Sequence, residues 1–191
     1  MTKNNDMAQP NYQAAANEIQ PFGALKDLPL GLDDNARGAS VAALNQVLAD
    51  TMTIRDLYKK HHWQMSGVTF YSLHLLLDKH FEEQSDLVDS IAERIMGLGG
   101  ISLAMGHDVA KETRIPFPPR GREDVPTQLS RLLKAHELIL TFARKAADEA
   151  SKAGDEGTND LLISEVVRTG EAQVWFLAEH LAGTPLLPNE R

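Results

Sequence analysis

A chain of 191 residues, 42% hydrophobic and 24% charged, has room for one soluble domain plus a tail. It carries no run of the ~18–20 apolar residues needed to cross a bilayer, and no cysteine, which excludes disulfides, thiolate metal sites and cysteine nucleophiles. The formal net charge of −8 disfavours nucleic acid and favours cations, and a cysteine-free composition suits a reducing, cytoplasmic compartment.

The opening MTKNNDMAQPNYQAAANEIQ has no apolar h-region, so no secretory signal is expected. Residues 1–32 hold Pro10, Pro21, Gly23, Pro29 and Gly31 without an apolar period and read as a flexible tail. From about Asp34 to Met65 the period turns helical, with Leu44, Val47, Thr51, Ile54 and Tyr58 recurring and His61 and His62 near the end. Ser66-Gly67 breaks that helix. A second helix runs from about Ser72 to Leu98, where Gly99-Gly100 stops it; its apolar stripe is Leu73, Leu77, Leu87, Ile91 and Ile95.

Residues 101–125 form a long connection with a short helix near Ser102–Thr113 and a Pro116-Phe117-Pro118-Pro119 run that excludes regular helix. A third helix starts near Asp124 or Thr127 and ends at Gly154 and Gly157. Thr158 reads as the N-cap of a fourth, which carries Leu161, Leu162, Val166, Trp175 and Phe176 and stops at Gly183 before Pro185. The expected fold is all-α: a ferritin-like four-helix bundle over 33–184 with one long crossover, and a C-terminal tail at 185–191.

Helix two holds two ligand-type pairs, His74/Asp78 and Asp89/Glu93, each spaced i, i+4 and so on one helical face. Together with Glu82 they fall within an arc of about 100°, off the core stripe. Solvated charges would explain a single pair; two pairs on one face, beside a histidine at the end of the preceding helix, point to metal. Asp78 and Asp89 are separated by roughly 16 Å of helix, whereas bonds from a small divalent metal to oxygen are about 2 Å. One cluster cannot collect both pairs from one helix. Two copies of helix two, antiparallel about a two-fold axis near Glu83–Gln84, bring His74/Asp78 of one chain to Asp89/Glu93 of the other, twice per dimer. No Glu-x-x-His occurs anywhere in the chain, which speaks against the ordinary ferritin arrangement inside one bundle. Imidazole and carboxylate donors without sulfur suit Fe(II), Mn(II) or Zn(II).

The stretch Asp56–Gly100 resembles the ferroxidase region of the Dps family. The pattern is His62-Trp63, Gly67 and Phe70, Leu73-His74 with Asp78 four residues on, and Asp89-x-x-Ala92-Glu93-Arg94 before Gly99-Gly100; the likeness extends over about 34–183. The resemblance implies that His62, His74 and Asp78 come from one subunit and Asp89 and Glu93 from its two-fold mate. It also implies hollow twelve-subunit shells built of such dimers, which oxidise Fe(II) with hydrogen peroxide in preference to dioxygen and store ferric mineral, with zinc a substitute at the same site. Trp63 is then an electron donor near the site or, alternatively, a core aromatic. The segment Asp155–Asp160 is similar to the family's three-fold pore lining, which makes Asp155 and Asp160 candidates for guiding iron inward; an exposed interhelical loop is the alternative.

Two features depart from the family pattern. Residues 1–36 hold only Lys3 and Lys26 against Asp6, Glu18, Asp27, Asp33 and Asp34, so DNA binding is expected to be weak or absent. Histidines are enriched near the site: His80 reads as a satisfied core residue or an extra ligand, and His61 has no assigned role. His107 is a minor candidate for a separate metal, and His136 and His180 read as packing or surface residues. DNA compaction, or metal buffering without turnover, are the competing functions.

Overall fold

The computed structural model describes residues 18–183. Its helices are α1 (Asp34–Gln64), α2 (Phe70–Gly97), α3 (Gly106–Glu112), α4 (Val125–Lys152), α5 (Glu156–Asp160) and α6 (Arg168–Glu179). A π-helical segment, Leu161–Val167, joins α5 to α6 in one continuous rod. There is no strand among the described residues, and no helix of theirs is long and apolar enough to cross a membrane. The α1–α2 hairpin packs against the hairpin of α4 and the last rod, with residues 98–124 crossing between them.

The helix ends follow local chemistry. Asp33 caps α1 by accepting from the Asn35 and Ala36 amides at 2.9 and 3.4 Å. Asp124 caps α4 through the Thr127 amide at 2.8 Å, ahead of Pro126 in the first turn. Helix α2 closes in a Schellman motif: Gly99 N–H donates to Met96 C=O and Gly100 N–H to Ile95 C=O, both at 3.0 Å, with Gly99 at φ 86°. The same motif ends α4 at Gly154, φ 81°.

The expected stripe of α2 is the core face: Leu73, Leu77, Leu87, Ile91 and Ile95 are buried against Leu44, Leu48 and Ile54 of α1 and Leu129 and Leu132 of α4. The crossover is clamped by Asp50, a fully buried carboxylate on α1. It accepts from the Arg114 guanidinium at 2.5 and 3.0 Å, the Arg114 amide at 2.8 Å and the Thr113 hydroxyl at 3.0 Å. The guanidinium also stacks over Phe142, 4.0 Å from the ring centre.

Four expectations need correction. The N-cap of the last rod is Asp155 and not Thr158, whose amide and hydroxyl instead donate to Asp155 at 3.1 and 2.7 Å; Gly157 lies inside the first turn. The short crossover helix is narrower than expected. Trp175 and Phe176 are 62% and 46% exposed in the single chain, because the buried face of α6 carries Gly170, Gln173 and Leu177. Residues 20–32 are irregular as expected, yet anchored: Gln20 donates to Gly99 C=O at 2.9 Å, the Lys26 amide to the same oxygen at 2.8 Å, and the buried Arg37 to Lys26 C=O at 3.0 Å. The remainder of the expected tails, 1–17 and 184–191, lies outside the described residues.

Candidate metal centre

Gly67, at φ 90°, turns the chain between α1 and α2 so that the last turn of α1 faces the second turn of α2. His62 and His74 meet there as stacked rings, 3.7 Å between centres and 19° between planes. Each ties its Nδ1 to the other's backbone: His62 Nδ1 to His74 C=O at 2.7 Å, and His74 Nδ1 to His62 C=O at 3.0 Å. A carbonyl only accepts, so both Nδ1 atoms carry the proton and both Nε2 atoms keep a lone pair when the rings are neutral. This is the usual outer-shell device that fixes a histidine tautomer for metal binding. Phe70 walls the pair, 5.1 Å from the His74 ring.

Asp78 sits one turn on, its Oδ1 3.9 Å from His62 Nδ1. The Lys59 ammonium pairs with it and, by that hydrogen bond above all, holds its carboxyl below the usual range. Lys59 also lies over the Phe81 ring, 4.6 Å from its centre. The sequence reading missed Lys59; its place three residues before His62 in α1 was the available signal. Asp89 and Glu93 stand exposed on the far half of α2 and make no side-chain hydrogen bond or ion pair among the described residues. No three His, Asp or Glu side chains of the described residues gather into a metal-holding group within one chain. His62 and His74 are brought into contact, with Asp78 beside His62 but not closing a three-ligand group; Asp89 and Glu93 are not brought to them.

The other candidates divide by burial. Trp63 is 68% exposed beside His62, so it is not a core aromatic of its own chain. His80 faces the interior as expected, edge-on to Tyr58 at 5.2 Å and to Phe176 at 6.2 Å. Its Nδ1 lacks a hydrogen-bond partner among the described residues, and burial pushes its pKa down to about 4. His61 is wholly buried with neither ring nitrogen hydrogen-bonded among the described residues, and burial likewise lowers it to about 4. His136, read from sequence as a packing or surface residue, is buried and accepts or donates at Nε2 with the Tyr58 hydroxyl at 2.6 Å; burial lowers it to about 3. His107 is exposed in the crossover, 3.1 Å from Asp108. His180 is exposed past the end of α6.

Asp155 is only 2% exposed. Its carboxylate is committed to the cap of α5 and to Arg94 at 2.5 Å, so the exposed-loop alternative does not describe it and the pore assignment meets a buried group. Asp160 is exposed and accepts from Ser164 at 2.7 Å. The motif arginine, Arg94, thus ties the carboxylate-bearing end of α2 to the start of the last rod. A side chain at Gly157 would meet that guanidinium at 2.9 Å.

Comparison with known proteins converges on one family. A ferritin-like domain model matches residues 41–187. The solved structure of DpsC from Streptomyces coelicolor is 55% identical and superposes with a TM-score of 0.88 over 90% of this chain and 99% of that one. A nutrient stress-induced DNA-binding protein of Nostoc is 32% identical, covering 86% of this chain and 89% of its own length. A Vibrio cholerae Dps protein, described as a member of a broad superfamily of ferritin-like diiron-carboxylate proteins, is 26% identical with a TM-score of 0.76, over 83% of this chain and 98% of that one. On matches of this extent, the chain belongs to the Dps family of ferritin-like proteins.

Proposed function

We propose that this chain is an iron-oxidising, iron-storing subunit that protects against oxidative damage in the cytoplasm. It takes Fe(II) as substrate at a site shared between two-fold-related copies, oxidises it with hydrogen peroxide in preference to dioxygen, and stores ferric mineral in a hollow twelve-subunit shell. The observation that carries this reading is the His62/His74 pair. Two imidazoles locked by their Nδ1 atoms, beside an ionised carboxylate, form half of a nitrogen–oxygen metal site with no sulfur. The partner subunit's Asp89 and Glu93 supply the other half.

Each side chain has a role in this account. His62 and His74 give neutral nitrogen donors, and Asp78 gives one oxygen donor once Fe(II) displaces the Lys59 ammonium. The carboxylates of the partner hold a second iron close by, so that peroxide receives one electron from each. Trp63, exposed next to His62, is positioned as an auxiliary donor. Asp160, with its exposed carboxylate, draws Fe(II) toward the three-fold pore. His80 is turned into the core and serves as no ligand here. Zn(II) fits the same donors and competes with Fe(II). DNA binding is weak or absent for want of clustered cations in residues 1–36, although the Nostoc relative carries a DNA-binding name.

The test is peroxide-driven Fe(II) oxidation by the assembled protein and by a variant carrying His74→Ala and Asp89→Ala. The initial rate should collapse in the variant; an undiminished rate would refute the site.

A further inference from the structure

The middle of the bundle holds an unexpected polar cluster. Tyr58 from α1 is wholly buried, and its hydroxyl has one hydrogen-bond partner among the described residues, His136 Nε2 on α4 at 2.6 Å. The His80 ring of α2 stands edge-on to the phenol at 5.2 Å. Room for the imidazole comes from Gly170, where a side chain would press on Leu140 at 2.9 Å and His136 Nδ1 at 3.4 Å. A buried tyrosine–histidine pair costs desolvation that an apolar pair of the same shape would avoid. Stability alone therefore does not explain the pair.

Its place does suggest a use. Tyr58 precedes His62 by one turn of the same helix face, about 6 Å along the axis. We propose that Tyr58 is a redox-active tyrosine that supplies an electron to the metal site at His62 and passes its phenolic proton to His136. This rests on the ferroxidase reading above. A half-filled site gives peroxide one electron, and a peroxide that receives only one releases a hydroxyl radical. With Tyr58 as second donor the step balances: Fe(II), Tyr–OH, neutral imidazole and H2O2 become Fe(III), the tyrosyl radical, imidazolium and two hydroxide ions. The O–O bond breaks, one electron leaves the iron and one the phenol, and the O–H bond of Tyr58 is exchanged for N–H at His136 Nε2. Buried as it is, the phenol has no other hydrogen-bond partner among the described residues. Trp63 and Tyr71, at 68% and 71% exposed in the single chain, are not enclosed in this way.

The assembled protein, loaded anaerobically with one Fe(II) per subunit and mixed with hydrogen peroxide, is freeze-quenched and read by electron paramagnetic resonance. The expected result is a tyrosyl signal that narrows when the tyrosine rings are deuterated and that shows coupling to isotopically labelled histidine nitrogen. Tyr58→Phe abolishes it, and His136→Gln, which leaves no base for the proton, reduces it. The labelled wild type decides the matter even if either variant misfolds. Fe(III) formed without a tyrosyl signal, a signal without histidine coupling, or one that persists in Tyr58→Phe would each overturn the inference and leave the ferroxidase reading intact. Failure of the wild type to oxidise Fe(II) would instead overturn the reading on which it rests.

Discussion

Lys59 illustrates how one side chain tunes the candidate site. Its ammonium neutralises Asp78 in the absence of metal, so an incoming cation competes with a tethered one. Both groups are about a third exposed, which limits the pair to at most about 1 kcal/mol. Lys59→Met is therefore expected to tighten binding of a redox-inert probe such as Co(II) by up to about fivefold. Calorimetric titration checks this; weaker binding would show that Lys59 assists the site. The buried histidines set a pH dependence of their own. His136 at about 3, and His61 and His80 at about 4, are neutral in the fold, whereas the unfolded chain protonates them below 6.5. Stability is then full above 6.5 and falls as the pH drops toward those values, by up to about 1.4 kcal/mol per pH unit for each histidine. Denaturation midpoints at about pH 7 and pH 5 should differ accordingly; equal midpoints would show that these rings take up protons in the folded state.

At the scale of elements, two glycines share a motif and differ in surroundings. Gly99 and Gly154 both end helices at positive φ, but a side chain at 99 would meet Lys26 C=O at 2.6 Å, whereas one at 154 meets nothing within 4 Å among the described residues. Gly154→Ala should cost about 1 kcal/mol from the backbone alone, and Gly99→Ala distinctly more. Chemical denaturation ranks them, and equal losses would mean that the strap of residues 20–32 yields freely. The long helices were legible in sequence because their stripes follow the helical period without interruption, and Ser66-Gly67 and Gly99-Gly100 mark their ends. The last rod was legible as a helix, but not in its cap or its buried face. Its buried face passes through Gly170 and Gln173, so hydrophobicity no longer marks it, and the π-helical stretch has no signature in composition. The burial of Asp155 was hidden for a related reason: an acid in an interhelical loop looks solvated until Arg94, sixty-one residues away, is folded against it.

At the scale of the molecule, α2 carries His74 and Asp78 toward one end and Asp89 and Glu93 toward the other, and no fold of a single straight helix joins them. The pairs His74/Asp78 and Asp89/Glu93 stand out by spacing, while the Lys59 counter-ion and the Tyr58–His136 pair depend on contacts between helices that no local pattern encodes. Subunit complementation tests the shared site most directly. Shells of His74→Ala alone and of Asp89→Ala alone should both be impaired in peroxide-driven Fe(II) oxidation. Dissociated and reassembled together in equal amounts, half of the two-fold dimers pair one variant with the other, and each such dimer regains one intact site of two. The mixed shells should recover about one quarter of the wild-type initial rate. Mixed shells no more active than either variant alone would contradict a centre built by two copies of α2.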